Sequence, residues 1–213
     1  MRVLVTAADN DYVDFESLRN SSETFKLGAT GLGGSTYVDA VINGKVFDLN
    51  QKVIHGFNSS SDVRQALLRG DIHGMWGSLG SALKGVKAGQ HRIVLQSGTE
   101  RSSELPDVPT VSEVAKSLSD PATADAVLSA WDALNQVGRP VAAPPGVPAD
   151  RVAYLQSVFE KAMNDPEFIE VAKQSKRALS YSTGADMAET AEASTNLADD
   201  VRDLLVSAIR GEL

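Results

Sequence analysis

The chain has 213 residues, 42% hydrophobic and 23% charged, values of an ordinary folded protein that exclude wholesale disorder. Lys plus Arg number 20 against 28 Asp plus Glu, a formal net charge of −8; a phosphate backbone would be repelled, so no nucleic acid partner is expected. Cysteine is absent, which removes disulfides, thiolate metal sites and thiol nucleophiles, and no apolar run approaches the roughly 20 residues that cross a bilayer, so no direct membrane insertion is expected.

Residues 2–8 read as a buried strand, Val-rich and closed by Asp9-Asn10-Asp11. The opening apolar stretch is too short for a signal peptide and has no cleavage site, so the chain as written is expected to be cytosolic or a piece of something longer. A short helix is expected over 14–20 and a second strand over 25–29. That strand runs into a glycine-rich stretch, and a helix follows over 37–43 with Val38, Val41 and Ile42 on one face. A third strand is expected over 51–57. Ser61 or Asp62 is expected to cap a helix over 63–69, closed by Gly70. A fourth strand over 72–76 ends in Gly77-Ser78, and a helix over 81–88 leads to a fifth strand over 92–97. Strands alternating with helices predict an α/β fold with a mostly parallel five-stranded sheet, and such sheets bind ligands beyond the carboxyl ends of their strands. Three small polar loops fall at that edge: 30–36, 58–60 and 77–78.

Beyond residue 100 the pattern changes. Residues 105–110 read as a turn-rich connector, 122–134 as a helix, and the Pro-dense segment 139–148 as a linker. Pro148 opens a helix with Val152, Leu155, Phe159 and Met163 in an apolar stripe. Asp165-Pro166 starts the next helix. Thr183 to Asp186 forms a capping box that starts a last helix running to about Ile209, with Asp199-Asp200 on its solvated face.

The stretch from Gly28 to Ser35 is not a dinucleotide fingerprint, and no Lys follows at the phosphate-loop position. Two readings stand. Small residues let an anion approach the free N–H groups at the following helix start, or the turn simply needs glycine for its backbone angles. The two Ser-rich loops at the same edge favour binding. His55, His73 and His91 lack carboxylates at ligand spacing and read as packing or surface residues, so neither metal nor cofactor is expected. No nucleophile elbow is present. Trp76 either lines a pocket or packs the core.

Gly28-Ala-Thr-Gly with Ser35-Thr36-Tyr37, Gly56-Phe57-Asn58-Ser59-Ser60, Ala66 to Ile72, Ser81 to Gly89, Leu105-Pro-Asp-Val-Pro-Thr-Val111 and Ala143-Pro-Pro-Gly-Val-Pro148 together resemble the Bug family, the extracytoplasmic solute-binding proteins of tripartite tricarboxylate transporters. The order matches over essentially the whole chain. The resemblance implies a type II periplasmic-binding-protein fold, in which two lobes close over a small organic anion and signal a membrane permease, outside the cytoplasm and without catalysis. It implies that residues 1–137 are the second, ligand-binding lobe. Residues 138–213 would be a crossover strand and C-terminal helices of a largely missing first lobe, since family members are longer at the N-terminus, where they carry a signal peptide. The family's second-lobe ligand loop falls on Thr30, Gly31, Gly33, Gly34, Ser35, Thr36 and Tyr37. A further loop falls on Asn58, Ser59 and Ser60, with Asn58 where the family has Lys, and a third on Gly77 and Ser78, with Gly77 where the family commonly has Asp. Neutral N–H and hydroxyl donors are what these departures leave. The Val152 to Met163 stripe, without a first-lobe sheet to cover, is expected to drive dimerisation or aggregation or to leave the C-terminal third mobile. A cytosolic small-molecule sensor lobe, and an enzyme on the same fold, are the rival readings.

Overall fold

The computed structural model describes residues 1–136, 140–175, 179 and 181–213. The chain forms two compact units, Met1–Gln136 with Leu197–Leu213, and Val137–Asn196. The first is built on a five-stranded sheet of order β3-β2-β4-β1-β5, with β1 Arg2–Ala7, β2 Phe25–Gly28, β3 Gln51–Ile54, β4 Gly74–Ser78 and β5 His91–Gln96. β2 runs parallel to β3 and β4, whereas β1 is antiparallel to both of its neighbours, β4 and β5. The sheet is therefore mixed, and β1 departs from the expected parallel run. The crossover from β4 to β5 skips one strand position, and β1 fills it in the opposite sense, which brings Arg2 to the edge where β4 ends at Ser78.

Helices α1 (Phe15–Arg19), α2 (Ser35–Val46), α3 (Ser60–Leu68), α4 (Leu79–Lys87), α5 (Val111–Ala115) and α6 (Pro121–Gln136) complete the series in this unit up to Gln136. Alternation along β1 sorts its side chains between two cores. Leu4 joins Leu27, Trp76 and Leu95 under α2 and α6, where Ile42, Val127, Leu128 and Trp131 are buried. Val3 and Val5 join Met75 and Ile93 on the opposite face, under Val63, Ala66 and Leu67 of α3 and Ala82 of α4. Trp76 is a core residue, edge-on to Trp131 with ring centroids 5.4 Å apart.

The second unit holds α7 (Ala149–Met163), α8 (Pro166–Gln174) and α9 (Gly184–Thr195). Asp165 caps α8, accepting from the Phe168 amide at 3.0 Å, with Pro166 in the first turn. Thr183 and Asp186 form the expected capping box of α9. Residues 140–148 carry no helix or strand, so the expected crossover strand is not seen among the described residues there; Val137 and Arg139, at the expected lobe boundary and linker start, lie outside the described residues.

The expected single last helix is two: α9, and α10 (Asp199–Arg210), which belongs to the first unit. Asp199 and Asp200 are not a side face but the first turn of α10, where acidic side chains meet the positive end of the helix dipole. Val201, Leu205 and Ala208 bury α10 in the core under α2 and α6.

Candidate ligand-binding edge

β2 and β3 end side by side, β4 runs three residues further, and the loops leaving β2 and β3 are stitched together: the Ala29 amide donates to the Ile54 carbonyl at 2.8 Å and the Gly56 amide to the Thr30 carbonyl at 2.5 Å. The chain leaves β2 through α2, packed on one face of the sheet, and leaves β3 through α3, on the other. Strand order reverses at β2, the kind of switch point where open α/β sheets hold ligands.

The glycine-rich turn separates into structural and open parts. Gly28 is structural: a Cβ there would lie 2.4 Å from Ile72 Cδ1 and 2.6 Å from Val63 Cγ1. Gly33 has φ +71° and closes a turn in which the Gly34 amide donates to the Gly31 carbonyl at 3.1 Å. That turn needs φ > 0 at its third residue, so glycine is required for the backbone angle as well. The turn reading of the stretch therefore holds at Gly28 and Gly33. Gly31, Leu32 and Ser35 are exposed, and Gly34 is the N-cap of α2 with no side chain to cap it. The amides of Gly31, Leu32, Gly33, Ser35 and Thr36 find no hydrogen-bond acceptor among the described residues, because the helix bonds begin with Tyr37 and Val38 donating to the Gly34 carbonyl. This is a cluster of N–H groups at the positive end of a helix.

Not every expected hydroxyl is free to serve a ligand. Thr36 is buried; its Oγ1 accepts from the Thr30 amide at 3.0 Å and lies 3.1 Å from Thr30 Oγ1, so this pair shapes the turn. Ser59, rather than Ser61 or Asp62, caps α3, which starts three residues earlier than expected; its hydroxyl accepts from the Asp62 amide at 3.2 Å and donates to Asp62 Oδ2 at 2.9 Å. The carboxylate that completes this cap makes the 58–60 loop poor in free donors. Asn58 and Ser60 are exposed beside it. Gly77 lies within β4, opposite Val3, and Ser78 bonds Ser81 Oγ at 3.0 Å. Ser35 stands exposed at the first helical position. Tyr37 is 5% exposed and stands edge-on to His55. Together they border a groove of about 350 Å³ between α2 and β3, lined also by Val41, Lys45, Gln51, Val53 and Leu213.

Two features of this edge escape a reading of the sequence. α10 ends against the glycine turn: the Ile209 carbonyl occupies the space over Gly33, 2.5 Å from where a Cβ would sit, and Leu32 packs over Gly211. A cavity of about 420 Å³ lies beyond β5, lined by Gly98, Glu100, Ser112, Asp125, Asp132 and Gln136 among others. Its three carboxylates make it unsuited to an anion. Among the described residues no group of three or more His, Cys, Asp or Glu side chains is placed to hold a metal ion, and no described helix is long and apolar enough to cross a membrane.

A sheet of this topology, with unpaired amides beside its switch point, is an arrangement in which open α/β sheets hold small ligands. The family model of the tripartite tricarboxylate transporter family receptor matches residues 10–196, and the chain belongs to that family. A curated relative from Pseudomonas sp. (strain P51), the UPF0065 protein in the tcbD-tcbE intergenic region, is 27% identical over 177 residues, 81% of this chain and 48% of the relative. Among solved structures, a TctC solute binding protein from Polaromonas superposes with a TM-score of 0.65 at 16% identity, over 97% of this chain and 66% of that one. MatC from Rhodopseudomonas palustris with bound malate gives 0.62 at 17% identity, over 96% and 66%. An R. palustris protein with adipate gives 0.66 at 14% identity, over 96% and 64%. The fold is thus that of the solute-binding receptors, and the chain spans about half the length of the curated relative and just under two thirds of the solved ones.

Proposed function

We propose that this chain is an extracytoplasmic solute-binding receptor that captures a small carboxylate-bearing organic anion for a tripartite transporter, without transforming it. The observation that carries this reading is the set of amides of Gly31, Leu32, Gly33, Ser35 and Thr36 at the start of α2, which find no acceptor among the described residues. A carboxylate has several lone pairs and no donor, so it satisfies such amides without bringing a hydrogen that competes. Family membership supports the receptor role, and solved neighbours holding malate and adipate support a di- or hydroxycarboxylate as ligand. The exposed hydroxyl of Ser35 and the amide of Asn58 are the side chains best placed to add bonds, directly or through water. The permease is the proposed partner. A cytosolic sensor lobe and an enzyme on the same fold have no observation in their favour.

The test removes one donor and keeps the helix. Ser35 is the first helical residue, where proline is well tolerated, and the preceding Gly34 already has the extended angles, φ −69° and ψ 153°, that a following proline demands. Ser35→Pro deletes the backbone N–H together with the hydroxyl, and Ser35→Ala deletes the hydroxyl alone, so the difference between the two variants reports the single N–H. Titration calorimetry with malate and adipate is expected to show affinity roughly ten- to a hundredfold lower in Ser35→Pro than in Ser35→Ala, the range for one hydrogen bond to a charged group, at unchanged melting temperature. Unchanged affinity for both acids would remove the amide cluster from consideration.

A further inference from the structure

Asp39 is a carboxylate nearly sealed from water, 1% exposed, on the second turn of the helix whose start forms the amide cluster. Its Oδ2 accepts from Arg2 Nε at 2.7 Å and from Arg2 Nη2, and its Oδ1 from Trp131 Nε1 at 2.9 Å and Asn135 Nδ2 at 3.4 Å. Arg2 begins β1 at the ligand edge of the sheet: it is the register partner of Ser78, and its amide donates to Ser97 Oγ at 3.0 Å. Its guanidinium is held by Asp39 on α2. The side chain keeps 15% exposure, and no described residue bonds Nη1.

Such a pair adds little to stability, because taking both charges out of water offsets their attraction. Burial pushes the Asp39 carboxyl above its usual range, although the guanidinium pulls the other way. The pair has a clearer use in ligand choice. Resting on the carboxylate reading above, we infer that Asp39 is a specificity-determining residue: it sequesters Arg2, so that this edge grips a carboxylate through neutral donors and gives little reward to further negative charge on the ligand. Asp39 acts through Arg2 and touches no ligand itself. Neutralising Asp39 leaves one unmatched positive charge about one to two helical turns from the amide cluster. That charge is expected to favour a dianion over a monoanion by about tenfold, the order for unit charges roughly 8 Å apart in a partly screened site.

The experiment compares adipate with adipic acid monoamide, equal in length and differing in one charge, by calorimetry on the full chain at low and at physiological salt. Wild type is expected to bind the two within about threefold of each other, with shallow salt dependence. Asp39→Asn is expected to shift the ratio about tenfold toward adipate and to steepen its salt dependence. The double variant R2Q/D39N is expected to restore the wild-type ratio. A loosened fold weakens both ligands alike and leaves their ratio unmoved, so the ratio separates ligand choice from structural damage. A folded Asp39→Asn with the wild-type ratio would overturn the inference. So would a wild type that already prefers adipate strongly and salt-dependently, a result that needs no variant to fold. A wild type that takes neither acid would instead sink the carboxylate reading itself, and this inference with it.

Discussion

At the scale of single residues, the buried polar groups separate into those that serve the edge and those that serve the fold. His91 belongs to the fold. It is 4% exposed, and neither ring nitrogen finds a partner among the described residues. Gly85 makes room for it, since a Cβ there would lie 1.7 Å from Nδ1. Burial, then the nearby Arg64 charge, lowers the pKa of His91 from 6.5, so the ring is neutral when folded. The unfolded chain binds that proton more readily. The stabilisation is therefore full above 6.5 and is lost as pH falls through the depressed folded value. Urea unfolding followed from pH 7.5 to about 5 is expected to show falling stability, with a flatter profile in His91→Gln. Gly85→Ala is expected to cost about 1–3 kcal/mol by overpacking, read from the same urea midpoints.

At the scale of elements, α10 sets the form of the glycine turn. With φ +71° and the Ile209 carbonyl overhead, Gly33 tolerates no side chain. Gly33→Ala is expected to lose roughly 1–2 kcal/mol of stability and most of the affinity for malate or adipate. Stability loss with intact affinity would show that the turn is purely architectural. Much at this scale is legible in the sequence. Val-rich runs, the Asp165-Pro166 start and the Thr183–Asp186 box each carry a local signal, and the strands and helices stand within a few residues of where those signals put them. What the sequence hides is of two kinds. Some signals are short: Thr110, the last residue of the expected connector, forms with Glu113 a capping box for the five-residue α5, a stretch for which no element is expected, and Asp199-Asp200, expected on a solvated face, instead opens a helix. Others are tertiary. Nothing local says that β1 runs antiparallel, that Arg2 meets Asp39, or that the Ser59 hydroxyl is spent on its own helix cap. The edge loops themselves are readable because a strand ending in Gly, Ser and Thr before a helix has few uses; which of their donors stay free depends on the packing.

At the scale of the whole molecule, the second unit carries an uncovered apolar surface. α7 has no buried residue, and Leu155 and Phe159 are 55% and 42% exposed, as are Tyr154 and Val158 beside them and Phe168 and Val171 on α8. Two members of the expected stripe, Val152 and Met163, are half-buried. An apolar surface of this kind favours self-association in water. Sedimentation velocity is expected to show concentration-dependent association of the chain, abolished by L155D/F159D; a monomer at all concentrations would contradict it. This surface is distant in kind from the ligand edge, which is polar, glycine-lined and part of the first unit. At that edge, the unpaired amides at the start of α2 are proposed to receive an organic carboxylate. Amide-resolved NMR of the labelled chain titrated with adipate measures it most directly. Saturable shifts centred on Gly31, Gly33, Ser35 and Thr36 are expected, absent with the corresponding diamide. Saturable binding that leaves those four resonances unmoved would contradict it.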